Sequence, residues 1–345
     1  MSDTVLDTLG IWDVTAQLPE QVFDAAVRAR GVRGLPDRER IEHIVVLGMG
    51  GSGLAGDVLA AAAGPFLPVP VIVSKGYELP AFVGESSLVF AVSFSGNTEE
   101  TVEAASAAAV EGARLVVVTA GGELARLGES WGVPVIGVPS EIPMPRCGVG
   151  AMAIPPLIVL EEMGLFPGAQ QWVDFAVEQL RERRDELTSD GNAAQELARR
   201  IGRTQPLVYG GGLIGEVAAK RWKNQVNENA NAPAWWNVHP ELCHNEAQGW
   251  GQHGDVTRQT LTLVNLRHEF EHPQVMRRFE VVSELLDEVV AGVETVEAEG
   301  EGQLAQLLDL MLFGDFVSLH LAAQEGIDPG PIDTLNQIKA AVASG

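Results

Sequence analysis

The sequence predicts an α/β protein built from two doubly wound parallel sheets, each an α-β-α sandwich. In both halves of the 345-residue chain, continuous apolar segments alternate with helical ones, as a parallel sheet covered on both faces requires. A strand, glycine turn and helix at 45–58 are also echoed at 206–217. The length exceeds that of a usual single domain, so we predict a first subdomain at 1–160 and a second at 161–345.

The first half opens with an amphipathic pattern at 14–30, which predicts a helix packed on the first sheet. Five apolar segments then predict strands, and the stretches between them predict helices. The strands are 43–47, 69–73, 88–92, 114–119 and 133–138. The first connecting helix is predicted at 54–63, after the glycine run Gly48-Met-Gly-Gly-Ser-Gly53.

The second half is predicted to be helical from just after Pro155-Pro156 to about residue 200. Alternation of strands and helices then resumes at Pro206. The remaining predicted elements are strands at 260–266 and 289–296, a long buried helix at 304–324 and a short closing helix at 332–342. The pair Trp235-Trp236 is interpreted as a packing pair or a subunit contact.

The chain is acidic, with a formal net charge of -24, and it contains two cysteines, Cys147 and Cys243. A negative field repels polyanions, which argues against nucleic acid or an anionic membrane surface as a partner. An anionic substrate would therefore need a local positive site. The cysteine count fits a reducing cytoplasm. Met1-Ser-Asp-Thr4 lacks the start of a secretory leader, and no apolar run reaches transmembrane length, so we expect a soluble cytoplasmic protein.

The loop Ser93-Phe-Ser-Gly-Asn-Thr98 lies between a predicted strand and an alanine-rich helix. Its three hydroxyl side chains, Ser95 among them, stand where unpaired backbone N–H groups at a helix start point outward. Hydroxyls and amides together could surround a phosphate monoester, although the loop has no Lys or Arg. The spacing fits a plain helix cap equally well, in which Asn97 and Thr98 begin the helix and Glu100 closes a capping box.

The glycines Gly48-x-Gly50-x-x-Gly53 formally match the dinucleotide-binding fingerprint. An NAD site would also need an acidic residue at the end of the second strand, to bind the ribose. Ser74-Lys75 stands there instead, and Lys75 could serve only a 2′-phosphate cofactor, so a dehydrogenase is disfavoured but left open. In the alternative to dinucleotide binding, Gly51 and Ser52 approach a small ligand beside the loop Ser93–Thr98.

Two polar segments, 220–230 and 240–246, contain the highest density of side chains that could take part in catalysis. An asparagine-rich run ends or distorts the first segment and presents Glu228 as a candidate general base. His244 in the second segment is a candidate acid–base partner. Spacing alone favours a structural interpretation, in which Glu228 pairs with Arg221 or Lys223 and His244 is a satisfied core histidine.

Six potential metal ligands fall within seventeen positions of the second half. Their spacings match neither a zinc finger nor the paired histidines of a metallohydrolase helix, so we predict no metal site. The six are His239, Cys243, His244, Glu246, His253 and Asp255.

The glycine-rich and Ser-x-Ser-Gly-Asn-Thr loops together resemble the sugar isomerase (SIS) domain. The segments 145–150, 223–229 and 241–246 resemble motifs of the bifunctional phosphoglucose/phosphomannose isomerases of archaea and some bacteria. The likeness runs in the same order from about residue 40 to 342, and it implies two SIS-type subdomains. The residues that it implies for holding the sugar phosphate are Gly51, Ser52, Ser93, Ser95 and Thr98.

The resemblance also implies a reaction, the aldose–ketose isomerisation of glucose 6-phosphate or mannose 6-phosphate to fructose 6-phosphate through a cis-enediolate. Glu228 would move the proton between C1 and C2, His244 would assist ring opening, and Arg146 and Lys339 would line the site. No metal or redox cofactor is needed. A homodimer is implied, because in that family two subunits complete one site and the histidine reaches across.

The sequence departs from the family pattern at Cys147 and Gly148, where small residues such as alanine are usual, and at Trp235-Trp236 between the two catalytic motifs. These departures leave the preference between the two sugars open. The alternative function is a non-catalytic SIS module that binds a sugar phosphate as a regulator. The presence of both Glu228 and His244 favours the enzyme.

Overall fold

A computed structural model of the chain describes residues 5–343. Met1-Ser-Asp-Thr4, on which the expectation of no leader rested, lies outside the described residues. The strands are β1 (His43–Leu47), β2 (Val71–Ser74), β3 (Ser87–Ser93), β4 (Arg114–Thr119), β5 (Val135–Gly137), β6 (Gln205–Gly211), β7 (Trp235–His239), β8 (Leu261–Arg267) and β9 (Gly292–Glu297).

The helices fall between and around these strands. They are α1 (Ile11–Ala16), α2 (Leu18–Ala29), α3 (Gly50–Ala62), α4 (Glu99–Val110), α5 (Gly122–Trp131), α6 (Val149–Glu162), α7 (Ala169–Leu187), α8 (Ala193–Ile201), α9 (Gly212–Asn229), α10 (Glu246–Gly249), α11 (Gly254–Thr260), α12 (Pro273–Leu286), α13 (Gly302–Gln324) and α14 (Asp333–Ala343). Short 3₁₀ turns at Pro145–Gly148 and Glu241–His244 also matter for the site.

The strands form two parallel sheets, in the orders β2-β1-β3-β4-β5 and β7-β6-β8-β9. The central strand β3 is buried along its whole length, which explains its uninterrupted apolar sequence. In the first sheet the chain moves from β1 to β2 on one side and then crosses to β3 on the other. Ligands of open α/β sheets bind at such a switch point. The predicted fold class is confirmed.

Both sheets turn into their first helix through paired glycines. A Cβ on Gly53 would lie 2.5 Å from the carbonyl oxygen of Gly48, and a Cβ on Gly210 would lie 2.0 Å from that of Gly215. Side chains there would push the helix off the strand end. The sequence echo between the two halves therefore reflects the same close contact, and α3 begins at Gly50, four residues before the predicted Leu54.

Two elements differ from prediction for identifiable reasons. Trp235 and Trp236 lie on β7, a sheet-edge strand that was not predicted, because an edge strand carries no long apolar run and Trp235 stays 46% exposed. Pro155-Pro156 lies inside α6 and does not precede the helix. Most of α6 is buried, and this packing outweighs the two backbone hydrogen bonds that the prolines remove.

Helix α13 runs through the centre of the protein against α7, α8 and α9. At Gly314 it touches Trp222 of α9 so closely that a Cβ would lie 2.2 Å from the indole nitrogen, which donates to the Leu310 carbonyl at 2.7 Å. Although we expected no such run, α13 is long and apolar enough to cross a membrane by length and composition. However, 94% of its most apolar window is buried inside the protein, as in a core helix.

Candidate active site

Two loops meet at the carboxyl ends of the neighbouring strands β1 and β3. One is the glycine turn that begins α3, and the other is the hydroxyl loop, residues Ser93–Thr98, that begins α4. The Ser52 hydroxyl joins them, because it accepts from the backbone N–H of Phe94 at 3.1 Å and contacts the Met152 sulfur at 3.3 Å. The starts of α3 and α4, which the sequence analysis expected to lie beside one another, are therefore adjacent.

The four hydroxyls predicted to hold a phosphate fall into two pairs. Ser52 and Ser93 are buried, and Ser93 bonds the Thr98 hydroxyl at 2.9 Å and accepts from the Gly96 N–H at 3.1 Å. Ser95 is exposed and Thr98 is half-buried. The buried pair therefore shapes the loops, and the other pair is open to an incoming anion together with the amides of the helix starts.

The capping box, which the sequence left open as the alternative to a phosphate loop, is not formed. Thr98 is the residue before α4, but its side chain makes no capping hydrogen bond and turns to Ser93 instead. The Asn97 amide oxygen accepts from the Glu123 N–H at 3.0 Å, so it braces the hydroxyl loop against the start of α5. The loop side chains thus hold neighbouring loops in place and leave the α4 amides without side-chain caps.

The turn Pro145–Gly148 packs directly on the first turn of α3. At Gly51 a Cβ would lie 3.2 Å from the Pro145 carbonyl oxygen and 3.3 Å from the Arg146 Cα, so only glycine admits this approach without displacement. Gly51 therefore serves close backbone packing, and through it Arg146 comes beside the predicted phosphate loop.

The Arg146 guanidinium is 3% exposed and is held from three directions. Its Nε donates to the Asn229 side-chain oxygen at 2.9 Å, and its Nη2 donates to the carbonyls of Pro329 and Gly330. Its Nη1 lies 3.5 Å from Glu228 Oε2 and, within residues 5–343, has no hydrogen-bond acceptor. A rigid, buried cation thus presents one unused donor next to the candidate base.

Glu228 lies in the last turn of α9, which ends at Asn229 as the asparagine run predicted. Its carboxylate is 30% exposed and pairs with Arg146. The alternative partner Arg221 is occupied elsewhere: it forms a buried ion pair with Asp315 at 2.7 Å and donates to the Arg146 carbonyl at 2.8 Å. Glu228 and Arg146 are therefore the two predicted catalytic residues that the fold brings together.

The sequence reasoning missed the support behind this pair. Asp315 is buried in α13, and burial raises the pKa of its carboxyl group while Arg221 opposes that shift. Asn229 holds Arg146 and is itself bonded to Ser318 at 2.9 Å. The available signal was an acidic residue inside an otherwise apolar helix, which predicts a buried ionic partner.

Within residues 5–343, neither His244 nor Lys339 forms a hydrogen bond or ion pair with Glu228 of the same chain. His244 ends the turn Glu241–His244 and is exposed, so it is not the core histidine of the structural interpretation. Lys339 is exposed on α14. Within the described residues, neither side chain makes a hydrogen bond or ion pair. The candidate site of one chain is therefore formed by the hydroxyl loop, the α3 start, Arg146 and Glu228.

Lys75 is already engaged. Its ammonium group pairs with Asp57 at 2.5 Å, and Lys220 of α9 pairs with the same carboxylate oxygen at 3.1 Å. Burial lowers the pKa of Lys75. The lysine that a dehydrogenase would use for a 2′-phosphate is thus held by Asp57 of α3, and Asp57 also pairs with Lys220 of α9. Nothing else in the loop supplies the ribose partner.

The six potential metal ligands do not converge. Within residues 5–343, no group of three or more His, Cys, Asp or Glu side chains is arranged to hold a metal ion. His239 is fully buried, with its Nδ1 3.4 Å from the Cys243 sulfur and its ring 4.2 Å from that of Phe279. Burial lowers the pKa of His239 to about 4. This histidine is a packed core residue.

Cys147, one of the departures from the family pattern, follows Arg146 directly and is 7% exposed. Burial raises the pKa of its thiol to about 11, so it is a neutral, small, weakly polar group beside the site. Trp235, the other departure, lies on the edge strand β7.

Two family models match this chain. The SIS domain family matches residues 39–129, and the family described as bacterial phospho-glucose isomerase C-terminal SIS domain matches residues 190–342. Among solved structures, the C-terminal domain of glucosamine-fructose-6-phosphate aminotransferase from Francisella tularensis has a TM-score of 0.68 at 16% identity. It covers 92% of this chain and 96% of that one, and shares the fold.

Two curated relatives are named bifunctional phosphoglucose/phosphomannose isomerase. The protein from Aquifex aeolicus is 33% identical over 297 residues, 86% of this chain and 89% of its own. The protein from Caldicellulosiruptor bescii is 34% identical over 330 residues, 94% of this chain and 97% of its own. Since this identity extends along nearly the whole of both chains, the protein belongs to the bifunctional phosphoglucose/phosphomannose isomerase family.

Proposed function

We propose that the protein interconverts glucose 6-phosphate and mannose 6-phosphate with fructose 6-phosphate, without a metal or redox cofactor. The observation that carries this proposal is the Glu228 carboxylate 3.5 Å from the buried Arg146, beside the two helix starts and their hydroxyls. A phosphate at the helix starts would place the sugar's reacting end toward Glu228. Family membership supplies the substrate class.

The chemistry needs one base and one cation. Glucose and mannose 6-phosphates differ in configuration at C2, and both give fructose 6-phosphate through one cis-enediolate. Glu228 takes the proton from C2 and returns it to C1, which is within the capacity of a single positioned carboxylate. The unused Nη1 donor of Arg146 stabilises the oxyanion that develops on the substrate. In a chain with net charge -24, Arg146 is the local cation that an anionic intermediate requires.

Two further residues are proposed to act from a second subunit of a homodimer. His244 assists ring opening across the subunit interface, and Lys339 completes the site. The support is that both side chains are exposed in one chain. In addition, Leu335, Ile338 and Val342 are 41%, 56% and 70% exposed. They lie along one face of α14, the helix that carries Lys339. An apolar face of this kind is stabilised by a covering partner.

The test is the rate of fructose 6-phosphate formation from glucose 6-phosphate and, separately, from mannose 6-phosphate, with EDTA present. Turnover of both is expected. Turnover of one alone would assign a single activity and direct attention to Cys147. If neither sugar turned over but glucose 6-phosphate still bound, the non-catalytic binding module would replace the isomerase as the better description.

A further inference from the structure

Glu246 lies two residues after His244 and is held by two neighbouring strands. Tyr209 on β6 and Asn237 on β7 are direct register partners, so their side chains leave the sheet on the same face. The Tyr209 hydroxyl donates to Glu246 Oε1, and the Asn237 amide donates to Oε2 at 2.5 Å. Both carboxylate oxygens are therefore occupied by donors from the sheet. We call these three residues the Glu246 clamp.

The segment that carries His244 is also fixed on its other side. Leu242 is fully buried in the apolar cluster of the second sheet, beside Tyr209 and Phe279. The Asn245 side-chain oxygen accepts from the Glu246 N–H at 2.6 Å and begins α10. His244 lies between the buried Leu242 and the clamped Glu246, and its own side chain is exposed to solvent.

Breaking the Glu246 clamp would cost a large free energy. Tyr209 is buried, and burial together with the Glu246 carboxylate raises the pKa of its hydroxyl, which keeps it a donor at neutral pH. Removing the carboxylate would leave the buried Tyr209 hydroxyl and the half-buried Asn237 amide without their acceptor, and an unpaired buried donor costs more than the net value of a hydrogen bond. Such a network is suited to hold a short exposed segment in one conformation.

We infer that Glu246, Tyr209 and Asn237 are positioning residues that fix His244 for ring opening, and that they act only through it. This inference rests on the proposed function. Glu246→Gln would replace one of the two acceptor oxygens with an amide donor, so one clamp donor would face another donor, and Tyr209→Phe would remove one donor while keeping the ring. Each change should lower kcat for glucose 6-phosphate at least tenfold without displacing the phosphate loop.

A double-mutant cycle with His244→Ala tests the inference. In the His244→Ala background, adding Glu246→Gln or Tyr209→Phe should lower kcat by less than twofold, because the positioned group is already absent. The affinity for glucitol 6-phosphate, which is acyclic and needs no ring opening, should stay within twofold throughout. Multiplicative losses in the cycle, or an inactive Glu246 variant that no longer binds glucitol 6-phosphate, would overturn it.

Hydrogen exchange provides a readout that needs no turnover. Amides of residues 241–249 should exchange at least tenfold faster in Glu246→Gln and Tyr209→Phe than in wild type. The matched control is Glu241→Gln, which changes an exposed carboxylate of the same turn and should alter neither exchange nor kcat. Unchanged exchange in both clamp variants would overturn the clamp. If the clamp variants exchanged faster but the wild-type protein isomerised neither sugar, the clamp would stand and the proposed function would be wrong.

Discussion

At the scale of single residues, the site depends on the contrast between a fixed cation and a freer carboxylate. Arg146 is buried and held through Nε and Nη2, whereas Glu228 is 30% exposed and touches it through the remaining Nη1. A base must exchange protons with substrate carbons, so some freedom is useful to it. A group that stabilises charge works best when it is already oriented.

Glu228→Gln is expected to lower kcat by about 10³-fold or more, because an amide of the same shape cannot accept the C2 proton. The affinity for glucitol 6-phosphate should change by no more than about threefold, because phosphate binding depends on other residues. Steady-state kinetics and an inhibition assay measure the two effects. The control is Glu216→Gln on the same helix α9, which should be near wild type. Retained turnover would remove Glu228 as the base.

His239 predicts how stability depends on pH. Its pKa falls from 6.5 to about 4 in the folded protein because of burial, so folding favours the neutral ring. Above pH 6.5 both states are neutral and the full stability is present. As pH falls toward 4, the unfolded chain binds the proton first and stability is lost, by about 2 kcal/mol between pH 7.5 and 5.

Chemical denaturation at pH 7.5 and 5 measures this loss. In His239→Gln the decrease in the free energy of unfolding should be smaller than in wild type by about 2 kcal/mol. The control is His244→Gln, which replaces an exposed imidazole and should leave the wild-type decrease in place. If the free energy of unfolding fell by the same amount in His239→Gln as in wild type, protonation of His239 would not be coupled to unfolding.

At the scale of elements, the hydroxyl loop and the α3 start act as one unit. Ser52 joins the two loops through its bond to the Phe94 N–H, and Ser93 braces the hydroxyl loop from within through Gly96 and Thr98. Ser95 and Thr98 therefore sit on a preformed backbone. Replacing both accessible residues with alanine should raise KM for glucose 6-phosphate about tenfold or more while kcat stays within about threefold, since the phosphate is remote from the reacting carbons.

The matched control for the loop is Ser106→Ala, which removes a hydroxyl that bonds only within α4, to the Val102 carbonyl at 2.7 Å. It should leave KM unchanged. If the Ser95 and Thr98 double variant kept its KM and lost only thermal stability, the two hydroxyls would have a structural role alone. Steady-state kinetics with a melting curve of each variant separates these results.

The same elements show what local sequence can and cannot predict. Strands such as β1 and β3 are continuous apolar runs, and a glycine turn before a helix has a distinctive pattern, so these were predicted nearly to the residue. β7 was missed because an edge strand with two tryptophans carries no such run. The contact of Arg146 with Glu228 joins positions 82 residues apart, and no periodicity of either segment encodes it. The family resemblance supplied those roles instead.

At the scale of the whole molecule, the charge and the surface suggest how the site is completed. The chain carries a net charge of -24, so the buried cation Arg146 has to offset a repulsive field for anionic sugars. One chain presents Glu228 with Arg146 and leaves His244 and Lys339 exposed. A second copy that covers α14 would bury apolar surface and would bring its own His244 and Lys339 to the site.

Mixed dimers test this division of the site. Glu228→Gln and His244→Ala proteins should each retain only a small residual activity, but a heterodimer of the two would have one site with an intact Glu228 and a partner's intact His244. Random reassociation makes about half of the dimers mixed, each with one of two sites intact, so about a quarter of wild-type activity should return. Activity is measured after denaturation and joint refolding, with dimers verified by mass.

The control for the mixed dimers pairs Glu228→Gln with Arg146→Lys. These two residues contact each other within one chain, so every site of that heterodimer would carry one defect and no activity should return. If the His244 pairing also gave no recovery although mixed dimers had formed, His244 would have to act in its own chain. The exposed turn Glu241–His244 would then have to move toward Glu228 of the same chain, and the Glu246 clamp would oppose that movement.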